Sequence, residues 1–229
     1  MRVKGFGTGV MRSMTSRGAA SAALSALALL LSAASAQAAC TAPRHTRHTV
    51  TGSKVVAYLV RQPASGDGKG KLVGCWRSTG RRVTVARFAW DYLEQDTISS
   101  IHVAGRFVGY VFTFRDHYGG QHVRAYSYDV RDRTQRWGTT ISDYDAPADE
   151  GEKSAVRAFV LAKDGAFAYL ARYTTYPDGT HAVRFFARDG AGSDRLLDEG
   201  AGIDPASVSL HGQTVTWTHS GVQHSGTLR

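Results

Sequence analysis

The stretch that decides the fold is IHVAGRFVGYVFTF, residues 101–114: a short apolar run, a glycine turn at Gly105, and a second apolar run around Tyr110. Valine, phenylalanine and tyrosine at this density suit a pleated, buried surface, and a glycine between two such runs marks a hairpin. Three other segments share the design: TVTGSKVVAYLV from Thr49, FVLAKDGAFAYLA from Phe159 and VSLHGQTVTWTH from Val208. Their glycines are Gly52, Gly165 and Gly212, and their second runs carry Tyr58, Tyr169 and Trp217. The four aromatics are 52, 59 and 48 residues apart, a period of the kind that repeated β-sheet units show.

The flanking sequence extends each unit. A third run follows in KLVGCWRST, HVRAYSYDV and HAVRFFARDG, and a fourth in RRVTVARF, TQRWGTT and SDRLLDEG. The last unit has a third run in VQHSGTLR, after which the sequence ends. Turn sequences such as DHYGG, AKDG and YPDGT separate the runs. One segment, EGEKSAVRAFVLAKDG, has apolar residues at helical spacing (Val156, Phe159, Val160). Alignment with the other units makes its later part a strand.

The second runs KVVAYLV, RFVGYVF and AFAYLA are apolar at nearly every position, so both faces of their sheets are expected to be buried. Sheets stacked between neighbours satisfy that requirement, with Gly109 and Ala168 allowing close approach; a β-sandwich is the alternative. The chain resembles secreted or periplasmic β-propeller repeat proteins of the general TolB or WD type, in which a hairpin and two outer strands make a blade. The third run leading into YDVRDRTQRW carries that likeness, while the Trp-Asp and Gly-His pairs of the strict WD repeat are missing. The resemblance implies a small or incomplete propeller over residues 48–229, with repeats near 48–90, 97–140, 153–200 and 203–229. Segment 41–47 is then expected to supply the missing outer strand of the fourth unit.

The first 38 residues read as a secretory signal: Arg2, Lys4, Arg12 and Arg17 precede AALSALALLLSAASA and the small-residue site Ala36-Gln37-Ala38. Cleavage after Ala38 leaves 191 of the 229 residues, enough for one domain, beginning with an N-terminal segment at 39–47. The alternatives are lipidation of Cys40, for which Gln37 stands where an aliphatic residue is usual, and an uncleaved anchor. No second long apolar run follows, so no transmembrane segment is expected in the mature chain. Removing the leader takes four of 28 lysines and arginines and none of 19 acids, lowering the formal charge from +9 to +5. The remaining arginines are scattered, which argues against a nucleic-acid groove. Residues 39–48 and 64–70 read as mobile.

Two cysteines, Cys40 and Cys75, leave the reducing cytoplasm together. Their pairing closes a loop of 35 residues and contributes about 3–4 kcal/mol in the chain-entropy account. Free thiols or an intermolecular bond are the alternatives, and no CxxC spacing suggests redox catalysis.

No motif identifies a reaction. There is no G-x-S-x-G, and the nine histidines make no metal-binding spacing. His45 and His48 read as solvated, and strand alternation puts Trp217 and His219 on one face, with His211 and His224 nearby in sequence. The acidic run DYDAPADEGE departs from a calcium loop and reads as a connector. Asp91, Glu94, Asp96 and Asp116 are available as carboxylates for glycoside chemistry, but none is nominated as catalytic. Trp76, Trp90, Trp137 and Trp217 read as sheet packing before carbohydrate stacking. The expectation is a monomeric, exported, non-catalytic protein that binds a protein, glycan or cell-envelope ligand without metal or cofactor. A polysaccharide hydrolase or lyase, and a structural envelope protein, are the alternatives.

Overall fold

A computed structural model describes residues 40–62, 68–91, 95–145, 150–176, 179–190 and 193–229. The leader expected at 1–38, Glu94 and part of the acidic run lie outside the described residues. Fifteen strands and no helix occur among them. None of the described residues therefore forms a helix long and apolar enough to cross a membrane.

Sheet 1 contains β1 (Thr46–Thr51), β2 (Val55–Gln62), β3 (Gly68–Trp76) and β4 (Arg81–Trp90) in chain order. Sheet 2 contains β5 (Thr97–Ala104), β6 (Phe107–Arg115), β7 (Gln121–Asp129) and β8 (Thr134–Asp145). Sheet 3 contains β9 (Glu150–Leu161), β10 (Phe167–Tyr176), β11 (His181–Arg188) and β12 (Asp194–Glu199). Sheet 4 contains only β13 (Ile203–His211), β14 (Thr214–His219) and β15 (Val222–Thr227). All pairings are antiparallel, and among the described residues sheets 2 and 3 pair with each other at Tyr144–Gly151 and Asp145–Glu150. The segment with helical spacing is strand β9, because its apolar residues pair along β10.

The apolar second strands β2, β6 and β10 sit inside their sheets with both faces buried. Val55, Ala57, Leu72 and Phe88 of sheet 1 meet Ile98, Val108 and Tyr110 of sheet 2. Phe107, Val111 and Val123 of sheet 2 meet Phe159, Leu161 and Phe167 of sheet 3. Ala168, Leu170 and Phe185 of sheet 3 meet Val215 and Trp217 of sheet 4. The sheets are thus layered in chain order, and their first strands approach one another in sequence, β1 to β5, β5 to β9 and β9 to β13.

Glycine sets the closest approach at two joints. A Cβ on Gly109 would stand 2.7 Å from the Phe159 ring, and one on Gly74 would stand 2.6 Å from Val130. Any larger residue there would push neighbouring sheets apart.

Two expectations about the N-terminal segment need correction. Residues 41–47 do not complete sheet 4: Thr46 begins β1, which pairs with β2, and the bridge to Cys75 holds Cys40 against sheet 1. Nor are residues 40–48 loose. The Tyr58 hydroxyl donates to the Cys40 carbonyl, Arg82 donates to the Thr41 carbonyl at 2.7 Å, and the Arg61 amide donates to the His45 carbonyl at 3.1 Å. Residues 68–70, expected in a mobile loop, form the start of β3 opposite Gln62 and Arg61.

Candidate functional site

A 360 Å³ cavity opens where the hairpin of β6 and β7 meets the connection from sheet 1. Its lining is Asp96, Phe112, Phe114, His122, Arg124 and Tyr126. Alternation along β6 puts Phe112 and Phe114 on one face, and register places Arg124 opposite Phe112 and His122 opposite Phe114. Tyr126 packs against Tyr110 with ring centres 5.3 Å apart, and His122 packs against Phe114 at 5.5 Å.

The hairpin end is held by its own aspartate. Asp116 Oδ1 accepts from the amides of Tyr118 at 2.9 Å and Gly120 at 2.8 Å, while Gly119 takes the positive φ of 91° that the turn requires. That turn sets the register between β6 and β7, and with it the arrangement of cavity side chains.

Asp96 arrives from the other side. Its amide donates to the Ala89 carbonyl at 3.0 Å, and its Oδ2 accepts from the Ala89 amide at 3.0 Å, tying the end of sheet 1 to the start of sheet 2. Its Oδ1 is buried and has no hydrogen-bond partner among the described residues. A buried carboxylate oxygen left unsatisfied is costly, and a hydrogen-bond donor beyond the described residues would relieve that cost. His122 Nδ1 contacts Asp143 Oδ1, which orients the ring. Arg124 is exposed and makes no ion pair among the described residues.

The other candidate residues are placed apart. Asp116 spends one oxygen on its own turn and borders a neighbouring cavity. Trp217 is buried between sheets 3 and 4, while Trp76, Trp90 and Trp137 are partly buried packing residues. His45 and His48 are exposed on the N-terminal segment.

Trp217 and His219 do share a face, and one carboxylate serves both. Asp198 Oδ2 accepts from Trp217 Nε1 at 2.6 Å and lies 3.0 Å from His219 Nδ1. Burial raises the Asp198 pKa, but hydrogen bonds from Trp217, the Glu199 amide and His219 outweigh it and hold the group below the usual carboxylate range. His224 stacks on Trp217 with ring centres 5.8 Å apart, whereas His211 lies at the far end of β13. This cluster docks sheet 4 on sheet 3, with Asp198 engaged by both Trp217 and His219. Among the described residues, no group of three His, Cys, Asp or Glu side chains is placed to hold a metal ion.

Comparison with known proteins adds no family: no protein-family model and no curated protein matches the chain. Sequence reasoning misses five of the six cavity residues. Phe112 and Phe114 read there as core strand residues, and His122, Arg124 and Tyr126 as an ordinary third strand. Their one available signal is the DHYGG turn, which pairs two alternating strands and brings FTF opposite HVRAY.

Proposed function

We propose that this is an exported, propeller-like binding protein that takes a glycan in the cavity between Asp96 and Arg124. The observation that carries the reading is Asp96, a residue with a buried, unpartnered Oδ1, at the border of a cavity walled by Phe112, Phe114 and Tyr126. A sugar ring matches both features: its hydroxyls donate to a carboxylate, and its C–H faces pack on aromatic rings. The volume falls within the range of about 300–1,000 Å³ typical of small-molecule sites.

Export is supported by the signal-like leader and by a disulfide of a type that persists outside the cytoplasm. The propeller-like arrangement is supported by the layered sheets, buried on both faces at their second strands, and by the serial approach of β1, β5, β9 and β13.

Calorimetric titration of the purified exported chain with a panel of oligosaccharides tests the binding reading. Asp96→Asn and Phe114→Ala are expected to weaken binding by about tenfold or more with melting temperature preserved, the former by losing the charged acceptor. Wild-type affinity in both variants would refute the assignment of the cavity.

A second reading, a polysaccharide hydrolase or lyase, is favoured by one observation: a carboxylate, Asp96, and a carboxylate-oriented histidine, His122, border the same cavity. Release of shortened chains from a bound polysaccharide, abolished in Asp96→Asn and His122→Gln, would establish it. Intact ligand after long incubation would leave binding alone.

A further inference from the structure

We infer that the ligand is an acidic glycan, running from the aromatic cavity onto a cationic strip that reaches sheet 3. The inference rests on the glycan reading of the cavity and adds the charge and reach of its ligand.

Two more cavities lie at and beyond the turn of the β6–β7 hairpin. One, of 510 Å³, is bordered by Gln95, Arg115, Asp116, Gln121 and Lys153; the next, of 300 Å³, is bordered by Gln121, Lys153, Arg157, Arg172 and Tyr176. They share Gln121 and Lys153. The first and second share no lining residue: Phe114 and His122 face one side of the β6–β7 hairpin and their neighbours Arg115 and Gln121 the other, so the two cavities lie on opposite faces of the same hairpin end. A chain-like ligand leaving the aromatic cavity would therefore pass round the end of the β6–β7 hairpin and along β9 and β10.

The strip is built to face an anion. Arg172 is opposite Ala155, and Arg157 sits at the register shift between Val156 and Ala158, where a bulge re-aims the side chain. Two guanidinium groups and an ammonium thus border one cavity. Lys153 lies 4.4 Å from the centre of the Tyr144 ring and 5.1 Å from that of Tyr176, which fixes its position without neutralising it.

Arg115, Lys153, Arg157 and Arg172 make no ion pair among the described residues. The carboxylates described beside them are engaged elsewhere: Asp116 with its turn, Asp143 with His122 and Glu152 with Arg184. Like charges gathered in a concave surface repel one another and concentrate anions.

Asp96 decides which kind of polyanion fits. Its unpartnered oxygen repels a phosphate or sulfate and accepts from a hydroxyl. A uronic-acid glycan offers both groups, hydroxyls for Asp96 and carboxylates for the strip. Nucleic acid and polyphosphate offer charge but present an anion to the carboxylate.

The test titrates the mature chain with acidic hexasaccharides (galacturonate, mannuronate and glucuronate-containing), neutral hexaoses and inorganic polyphosphate. At about 50 mM salt, at least one acidic hexasaccharide is expected to bind about tenfold or more tightly than any neutral one, the gap shrinking at about 300 mM. Arg157→Gln with Arg172→Gln should close the gap and leave neutral binding unchanged, whereas Asp96→Asn should weaken both.

Equal affinity for acidic and neutral sugars would overturn the strip and leave the cavity reading standing. No binding of any sugar would overturn both. Polyphosphate binding as tight as the best acidic sugar, undiminished in Asp96→Asn, would overturn the glycan class in favour of a general polyanion. A double variant that keeps the acidic preference would remove Arg157 and Arg172 from the site.

Discussion

The two ends of the layered sheets are built in opposite ways. The outer face of sheet 1 is apolar: Val56, Tyr58, Val60, Val73 and Cys75 are all buried, and Cys40 is packed against them. The outer face of sheet 4 is hydroxyl-rich. Val215 and Trp217 face sheet 3, so alternation leaves Thr214, Thr216 and Thr218 on the far side, beside Ser209, Gln223, Ser225 and Thr227 in register. Ser209 and Thr216 hydrogen-bond across that face at 2.8 Å.

The difference teaches where the layering stops. A further sheet stacked on sheet 4 would bury hydroxyls without an apolar return, so this sheet acts as a polar cap of the kind that terminates repeat arrays. At sheet 1 the corresponding face is apolar and buried, and the disulfide holds Cys40 against it. One end is finished by its composition, the other by a covalent tie.

The ends also differ in how they are fastened. Cys40–Cys75 has its Cα atoms 5.8 Å apart and does not respond to acid. Sheet 4 is fastened to sheet 3 in part by Asp198, with its bonds to Trp217 and His219.

The contrast can be broken most strongly at the covalent end. Replacing both Cys40 and Cys75 by alanine should cost about 4 kcal/mol in urea unfolding, by loss of a 35-residue closure, and should admit a hydrophobic dye to the Val56–Tyr58–Val60 face. A loss below about 1 kcal/mol would show that the bridge is not what fastens this end.

The ionic end should be acid-sensitive. Because the folded pKa of Asp198 lies below its unfolded value, its contribution is complete above the ordinary carboxylate pKa and is lost as pH falls through the folded value. Amide protection in β14 and β15, taken relative to the intrinsic exchange rate at each pH, should therefore fall between pH 6 and pH 3 by more than protection in β2 and β3. Asp198→Asn should remove most of that difference and cost about 2 kcal/mol at neutral pH. Equal acid sensitivity at both ends would mean that Asp198 does not fasten sheet 4.

The smallest effects compare the two outer faces directly. Val60→Thr on sheet 1 buries a hydroxyl and should cost about 1–2 kcal/mol, whereas Thr216→Val on sheet 4 should change stability by less than about 0.5 kcal/mol. Similar costs for the two swaps, read from denaturant midpoints, would erase the distinction between an apolar end and a polar cap.

Much of this construction is legible in the amino-acid sequence. The runs around Tyr58, Tyr110 and Tyr169 are apolar on both faces, and those strands are central and doubly buried. The run around Trp217 alternates with threonine, and its sheet is covered on one side. Counting strands per unit assigns the N-terminal segment to sheet 4 in error, because a count says nothing about which sheet a segment pairs with. Backbone pairing at Thr46 and the bridge at Cys40 settle that instead. The candidate site is nearly invisible in the sequence. Asp96 is one of four unranked carboxylates there, and nothing in a linear sequence distinguishes an aspartate with one bonded oxygen from one with two.

By itself, the amino-acid sequence determined that the chain is built of short strands in four repeated units, and which two cysteines were available to be joined. Those properties follow from local alternation, turn residues and the presence of a single possible intramolecular cysteine pair. Only the tertiary structure decided that Asp96 borders a cavity with Phe112, Phe114, His122, Arg124 and Tyr126, and that Lys153, Arg157 and Arg172 gather in another. The physical reason is range. Strand patterning is written in residues two apart, whereas a site depends on cross-strand register and on the facing of separate sheets, which non-local packing alone sets.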